Sequence, residues 1–174
     1  KLRPEGLFYP GYPMSYENCF IGGNVAENAG GGRAIKYGVT GRYIHGLEMV
    51  LPTGEIINLG GKRFKDVTGY DLLKLVIGSE GTLGIFTKIT ASLLPLPQHY
   101  MTMLAVFPAM EKAIKMVSTI MVKARTIPSA MEFMDKQSVE IACAYLKEKN
   151  PYPTAGAMLL VELDLSPIYL SIKW

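Results

Sequence analysis

The sequence predicts an α+β fold in two parts, a glycine-rich first part and a second part of alternating strands and helices. Three observations carry this. Of the 18 glycines, 17 lie between Gly6 and Gly84 and only Gly156 lies beyond. Eight of the ten methionines lie from Met101 onward. Between the two compositions stands Pro95-Leu96-Pro97, the expected boundary, which divides the chain into residues 1–97 and 98–174. A length of 174 residues suits one domain or two small ones.

Taken in order, residues 1–18 hold Pro4, Pro10 and Pro13 with Gly6 and Gly11 and read as an extended, irregular lead-in. Residues 46–59 read as a hairpin, GLEMVL and EIINL joined at Pro52-Thr53-Gly54, because proline presets a turn and the flanks are aliphatic. Asp71 is a candidate N-cap for the short apolar run LLKLV. Residues 82–94, rich in Ile and Thr, predict one long strand. After the prolines, residues 100–107 read as a strand. Residues 109–124 place Met110, Ala113, Ile114, Val117, Ile120, Met121 and Ala124 at helical spacing. A strand over 129–134, a helix over 135–149 with Val139, Ala142, Cys143 and Leu146 on one face, and a buried strand over 157–163 complete a βαβαβ order. That order suits a sheet with helices on one side. The tail, LSPIYLSIKW, follows the last strand without a closing partner, so the second part is expected to be incomplete.

Composition narrows the function. Apolar residues at 49% are enough for a core, and a net charge of +3 is too small to argue for a nucleic-acid surface. Cys19 and Cys143 stand far apart and His45 and His99 are the only histidines, so neither a disulfide framework nor a His/Cys zinc site is expected. The longest uncharged stretch, residues 89–110, contains Pro95, Pro97 and Pro108 and is no membrane helix. No apolar leader is visible and the first residue is not Met, so the native start is expected upstream. A soluble protein of a reducing compartment is the default expectation.

Chemistry is concentrated in two glycine stretches. Residues 22–32, GGNVAENAGGG, let a backbone approach a bulky, planar or phosphorylated ligand, and their amides can meet anionic oxygens. Tight packing of a short helix on a sheet explains the same residues equally well. The stretch is neither a Walker loop nor a GxGxxG fingerprint. Residues 78–85, GSEGTLGI, lead into the long strand. They read as a loop near a ligand or, more simply, as a helix C-cap at Gly78 followed by a turn.

In this order, CFIGGNVAENAGGGRAIKYGVT, GLEMVLPTGEI and GSEGTLGIFTKIT resemble the FAD-linked oxidases of the vanillyl-alcohol-oxidase/PCMH type. Within them they resemble the group of bacterial glycolate oxidase FAD subunits and D-lactate and D-2-hydroxyglutarate dehydrogenases. The resemblance implies the second subdomain of a PCMH-type FAD-binding domain, a mostly antiparallel sheet with helices, followed by the start of an α+β ferredoxin-like cap. It implies FAD as cofactor and hydride transfer from a small 2-hydroxy acid of the glycolate or D-lactate type to the flavin. Met14–Asn24 would run along the flavin and pyrophosphate, which puts Cys19, Phe20, Ile21, Gly22, Gly23 and Asn24 beside the cofactor. Glu27, Asn28, Ala29 and Gly30 would lie beside it too, and Glu80, Gly81, Leu83, Gly84 and Ile85 would meet its flavin or adenine end through the backbone. The chain departs from the family pattern at Phe20, where a small hydroxylated residue is usual.

The resemblance also implies what lies outside the chain: a first FAD subdomain before Lys1, and a substrate arginine, a histidine motif and a closing domain after Trp174. These residues are therefore expected to be a fragment. The catalytic base is unassigned and no metal ligand is called. Other oxidase subunits or an electron acceptor are the implied partners, with no nucleic acid and no transmembrane segment. The implied location is the cytoplasm, or alternatively the membrane periphery through partner subunits. Two alternatives stand beside this: a non-catalytic fragment that binds no flavin alone, or another flavin oxidase acting on an aryl alcohol or sugar.

Single residues read more plainly. His45 reads as a structural histidine, His99 as solvated and Cys143 as core. Cys19 reads as a flavin neighbour without an activating base. Lys62, Arg63 and Lys65 read as a solvated basic run, Asp71 as a cap, and the methionines of residues 109–124 as core filler.

Overall fold

The computed structural model describes residues 2–11 and 13–165. The chain divides between Leu96 and Pro97 into two compact units.

In the first unit, the lead-in holds a 3-10 turn at Arg3–Glu5, with Pro4 in its first turn, and a two-residue strand, β1 (Leu7–Phe8). Two short helices follow, α1 (Ile21–Glu27) and α2 (Ala34–Tyr37). Then come β2 (Ile44–Val50), β3 (Ile56–Gly60), α3 (Leu72–Val76), β4 (Ile85–Ala91) and β5 (Leu94–Pro95). The hairpin forms as its turn chemistry directs. Leu51 N–H donates to Glu55 O at 2.8 Å, Gly54 N–H donates to Leu51 O at 2.9 Å, and Gly54 takes φ +88°, which an L side chain resists. Asp71 caps α3, its carboxylate accepting from Lys74 N–H at 2.9 Å.

Strand β2 is the centre of an antiparallel sheet ordered β3-β2-β4. Its Ile44, Leu47 and Met49 are buried together with Val25 of α1 and with Val76 and Ile77 at the end of α3. Leu59, Phe86 and Ile89 pack around them. The core therefore ties both glycine-bearing segments to one sheet. The single strand expected over residues 82–94 is interrupted. Ser92 N–H turns aside to bond Tyr43 O at 2.8 Å, and Leu94–Pro95 pairs instead with Leu7–Phe8 in a separate two-stranded sheet. Tyr43 is buried and its hydroxyl donates to Tyr37 O at 2.6 Å, while its ring meets Tyr9 edge-on at 6.3 Å. Burial raises both the Tyr9 and the Tyr43 hydroxyl above the usual tyrosine range.

The second unit follows the βαβαβ order: β6 (His99–Phe107), α4 (Met110–Lys123), β7 (Ala130–Asp135), α5 (Lys136–Leu146) and β8 (Ala157–Leu165). Strand β8 lies in the middle and pairs antiparallel with both neighbours. The core here is small: Ala113, Ala157, Met158, Leu159 and Val161 are buried. The assignment of the methionines of residues 109–124 to the core is corrected. Met116 is half-buried, but Met110 and Met121 are exposed, as are Met101 and Met103 of β6. Three strands and two helices have less covering surface than this apolar sequence has side chains. On α5 only Val139 and Cys143 of the expected face are half-buried, and Ala142 and Leu146 are exposed. His99 is exposed as expected, though it opens β6 rather than lying in a linker.

Candidate functional site

The candidate site is built in the first unit where the end of α1 meets the loop after α3. Phe20, in extended conformation, is the N-cap of α1, and Ile21, Gly22, Gly23, Asn24 and Glu27 lie within that helix. The first helical amides, those of Ile21, Gly22 and Gly23, fall outside the i to i−4 ladder. Among the described residues, a Cβ placed on Gly22 or Gly23 would meet no atom within 4 Å beyond its chain neighbours and its own helical backbone. Neither glycine has a positive φ. Neither packing within the described residues nor backbone geometry therefore calls for glycine at these two positions. What they leave is bare main chain, flanked by Phe20, 85% exposed, and by the exposed Ile21. The helix packs on β2 through Val25, but within the described residues that packing does not account for glycine at these two positions.

Behind that surface the polar groups are spent inward. Asn24 is buried, and its side-chain amide donates to Cys19 Sγ at 3.4 Å, while the Cys19 thiol donates to Tyr16 O at 3.5 Å. Asn28 ends the helix in the left-handed region at φ +53°, and its Oδ1 accepts from Gly41 N–H at 2.8 Å. The Ala29 carbonyl accepts twice from Thr40, from N–H at 3.0 Å and from Oγ1 at 2.8 Å. Gly30 is exposed and approaches Val39.

The second stretch is joined to the first. Gly78 N–H donates to Val25 O at 3.2 Å and Glu80 N–H to Ala26 O at 2.9 Å. Glu80 and Gly81 turn through φ +50° and +78°. Leu83 and Ile85 are exposed. Gly84 is different. It is buried, and a Cβ there would lie 2.6 Å from Val50 O, so its missing side chain serves contact with β2. Residues 80–85 thus divide: the first part bonds to α1, and Gly84 packs on the sheet.

Other singled-out residues stand apart from this junction. His45 Nδ1 lies 3.3 Å from Arg63 O and its ring meets Phe64 edge-on at 5.7 Å, as expected of a structural histidine. Together with Phe64 and Tyr70 it lines a cavity of about 340 Å³ beside α3. Arg63 of the basic run pairs with Asp66 at 2.6 Å on the surface. Three residues that sequence reading passed over belong to the junction: Thr40, Gly41 and Lys74, whose ammonium donates to Gly41 O. The one available signal was Lys74, a charge inside the apolar run LLKLV. Among the described residues, no group of three His, Cys, Asp or Glu side chains is placed to hold a metal ion.

Residues 1–60 match the FAD binding domain family, and residues 96–167 match the C-terminal domain family of FAD linked oxidases. The chain belongs to the FAD-linked oxidases. This FAD-linked oxidase chain is 47% identical over 163 residues to glycolate oxidase subunit GlcD of Bacillus subtilis, covering 94% of this chain and 34% of that protein. It is 48% identical over 138 residues to D-lactate dehydrogenase of Archaeoglobus fulgidus, covering 79% of this chain and 30% of that protein. A solved structure of alkyldihydroxyacetonephosphate synthase shares the fold with a TM-score of 0.76 at 21% identity, over 96% of this chain and 34% of that one. The chain spans about a third of the length of the curated relatives it matches. FAD is the cofactor of this family, and the bare Gly22–Gly23 main chain fits a flavin nucleotide. Among the described residues no helix is long and apolar enough to cross a membrane.

Proposed function

We propose that this FAD-linked oxidase chain forms part of an enzyme that oxidises a small 2-hydroxy acid, of the glycolate or D-lactate type, with FAD as hydride acceptor. Residues 1–97 are read as the second subdomain of the FAD-binding domain and residues 98–174 as part of the substrate or cap domain. Cys19–Asn24, Glu27–Gly30 and Glu80–Ile85 are read as the cofactor-facing segments. The observation that carries this is the pair of bonds from Gly78 and Glu80 to Val25 and Ala26, which brings the two glycine stretches together while Gly22 and Gly23 stay bare.

When bound, FAD supplies the acceptor for the hydride from the α-carbon. The chain's part is to bind and orient. Main chain at Gly22 and Gly23 admits the flat cofactor, and the Glu80–Gly81 turn is held against α1 so that its surface is set before the ligand arrives. Asn24, Asn28 and Thr40 act behind that surface, since their side-chain hydrogen bonds run to Cys19, Gly41 and Ala29. The substrate class is supported by the names of the relatives in both Bacillus and Archaeoglobus.

The test is turnover by the full-length gene product with glycolate, D-lactate and D-2-hydroxyglutarate under anaerobic conditions. Bleaching of the flavin's visible absorbance by at least one of these acids is expected. A flavin-loaded protein that is reduced by an aryl alcohol or a sugar, and by none of the three, overturns the substrate reading.

A further inference from the structure

We propose that Lys74 is a positioning residue for the flavin-facing segments, acting through Gly41 and Asn28; this rests on the FAD reading above. The chemistry begins in the sequence. Helix α3 is a five-residue apolar run with one charge, and Asp71 caps it by accepting from Lys74 N–H. The cap fixes the first turn of the helix, and the Lys74 side chain leaves that turn toward Gly41. Its ammonium donates to Gly41 O, a charge-assisted bond of the stronger kind. Gly41 N–H in turn donates to Asn28 Oδ1 at 2.8 Å. Both polar groups of one glycine are thus held, one from α3 and one from the end of α1.

The same two elements are joined a second time. Past α3 the chain runs through Ile77 into Gly78, and the amides of Gly78 and Glu80 donate back to Val25 and Ala26 of α1. Helix α3, Lys74, Gly41, Asn28, α1 and the Gly78–Glu80 loop therefore form a closed ring of bonds. The ring is tightly filled. A Cβ on Gly41 would lie 2.8 Å from Asn28 Oδ1 and 3.1 Å from Ile77, and one on Gly78 would lie 3.3 Å from Asn28 Cβ. A closed ring restrains its members more than two separate contacts do, because each bond fixes the geometry the other needs. Its output is the Glu80–Gly81 turn, both residues of which sit at positive φ. Removing the Lys74 link opens the ring and leaves α3 and α1 tied by the Gly78 and Glu80 bonds and the shared core of Val25, Val76 and Ile77, so the flavin surface loses part of its prior order.

Two variants test this. Lys74→Met keeps the apolar stem and the helix propensity while removing the donor, and Lys74→Arg restores a donor. Hydrogen exchange in peptides covering residues 24–30 and 78–84 is the first readout and needs no flavin. About tenfold faster exchange at Glu80 is expected in Lys74→Met, near-wild-type exchange in Lys74→Arg, and no change in the β6-β8-β7 sheet. FAD affinity is the second readout, with a loss of about tenfold in Lys74→Met and recovery in Lys74→Arg. Asn28→Gly tolerates the left-handed conformation and breaks the ring at its other link. Its effect on Glu80 exchange should not add to that of Lys74→Met. Unchanged exchange in Lys74→Met, strictly additive effects in the double variant, or failure of arginine to restore the wild-type rates overturns the inference. Should the wild-type protein bind no FAD, the functional reading fails, and the exchange arm still decides whether Lys74 orders the loop.

Discussion

The amide of Glu80 donates to the carbonyl of Ala26 at 2.9 Å, across the whole β2–β3 hairpin and helix α3. Two glycine-bearing segments are thereby joined. On α1 the glycines at 22 and 23 face open space, whereas Gly84 and Gly41 face atoms of the chain itself. That contrast separates glycines with open space beside them from glycines whose place the fold has filled, and its consequences can be measured.

Gly22→Ala and Gly23→Ala should leave the protein folded and slightly more stable, by up to about 1 kcal/mol each, because alanine is the better helix former and meets nothing within 4 Å. The same changes should weaken FAD binding, since they put a methyl group on the bare face. Urea unfolding and flavin titration of the same preparations check both halves.

Gly41→Ala and Gly84→Ala should behave in the opposite way. The new methyl group would press on Asn28 Oδ1 in the first and on Val50 O in the second. Each should destabilise by about 1–3 kcal/mol, the usual cost of forcing extra volume into a packed site. Equilibrium urea unfolding measures this directly.

Asp71→Ala removes the acceptor for Lys74 N–H and should cost about 1 kcal/mol, as N-cap losses do. Asp71→Asn or Asp71→Ser should recover most of that loss, with unfolding midpoints in urea as the readout.

Much of this fold was legible because local chemistry and tertiary structure agree. The Pro52-Thr53-Gly54 turn, the Asp71 cap and the apolar run of β8 each formed where residue type alone placed them. The strand expected over residues 82–94 did not form whole, because the pairing of Leu94–Pro95 with Leu7–Phe8 depends on a distant segment that periodicity cannot see. The methionines of α4 misled for a related reason: an amphipathic period identifies an apolar stripe but not how much of it a neighbour covers. At the site, the glycine motifs were readable as motifs. The roles of Thr40, Gly41 and Lys74 were not, since each depends on a hydrogen bond to an element far away in sequence.

Acid should erode stability through two carboxylates, those of Glu48 and Asp135. The Lys88 ammonium, at 2.7 Å, and the Thr87 hydroxyl, at 2.9 Å, hold the Glu48 carboxyl below its usual range. The backbone amide of Ser138, at 2.7 Å, does the same for Asp135 at the start of α5. Both groups have a lower pKa folded than unfolded. Their contribution is therefore complete above the ordinary carboxylate range and is lost as pH falls through the depressed native values. The melting temperature should drop on that limb, and Glu48→Gln should flatten the slope there while leaving the shape above neutral pH unchanged. Thermal melts followed by circular dichroism across the acid range provide the check, and an unaltered acid slope in Glu48→Gln would contradict the assignment.

The dissociation constant for FAD, measured by flavin fluorescence in the wild-type protein and in Gly23→Leu, tests the central claim most directly. Residue 23 is exposed and a Cβ there meets open space, so the variant should fold with an unchanged or higher unfolding midpoint. The account predicts saturable binding to the wild type and a loss of at least about tenfold in the variant, the scale expected when a side chain displaces a ligand from a fitted surface. Equal affinity in the two proteins, with both folded, would contradict it.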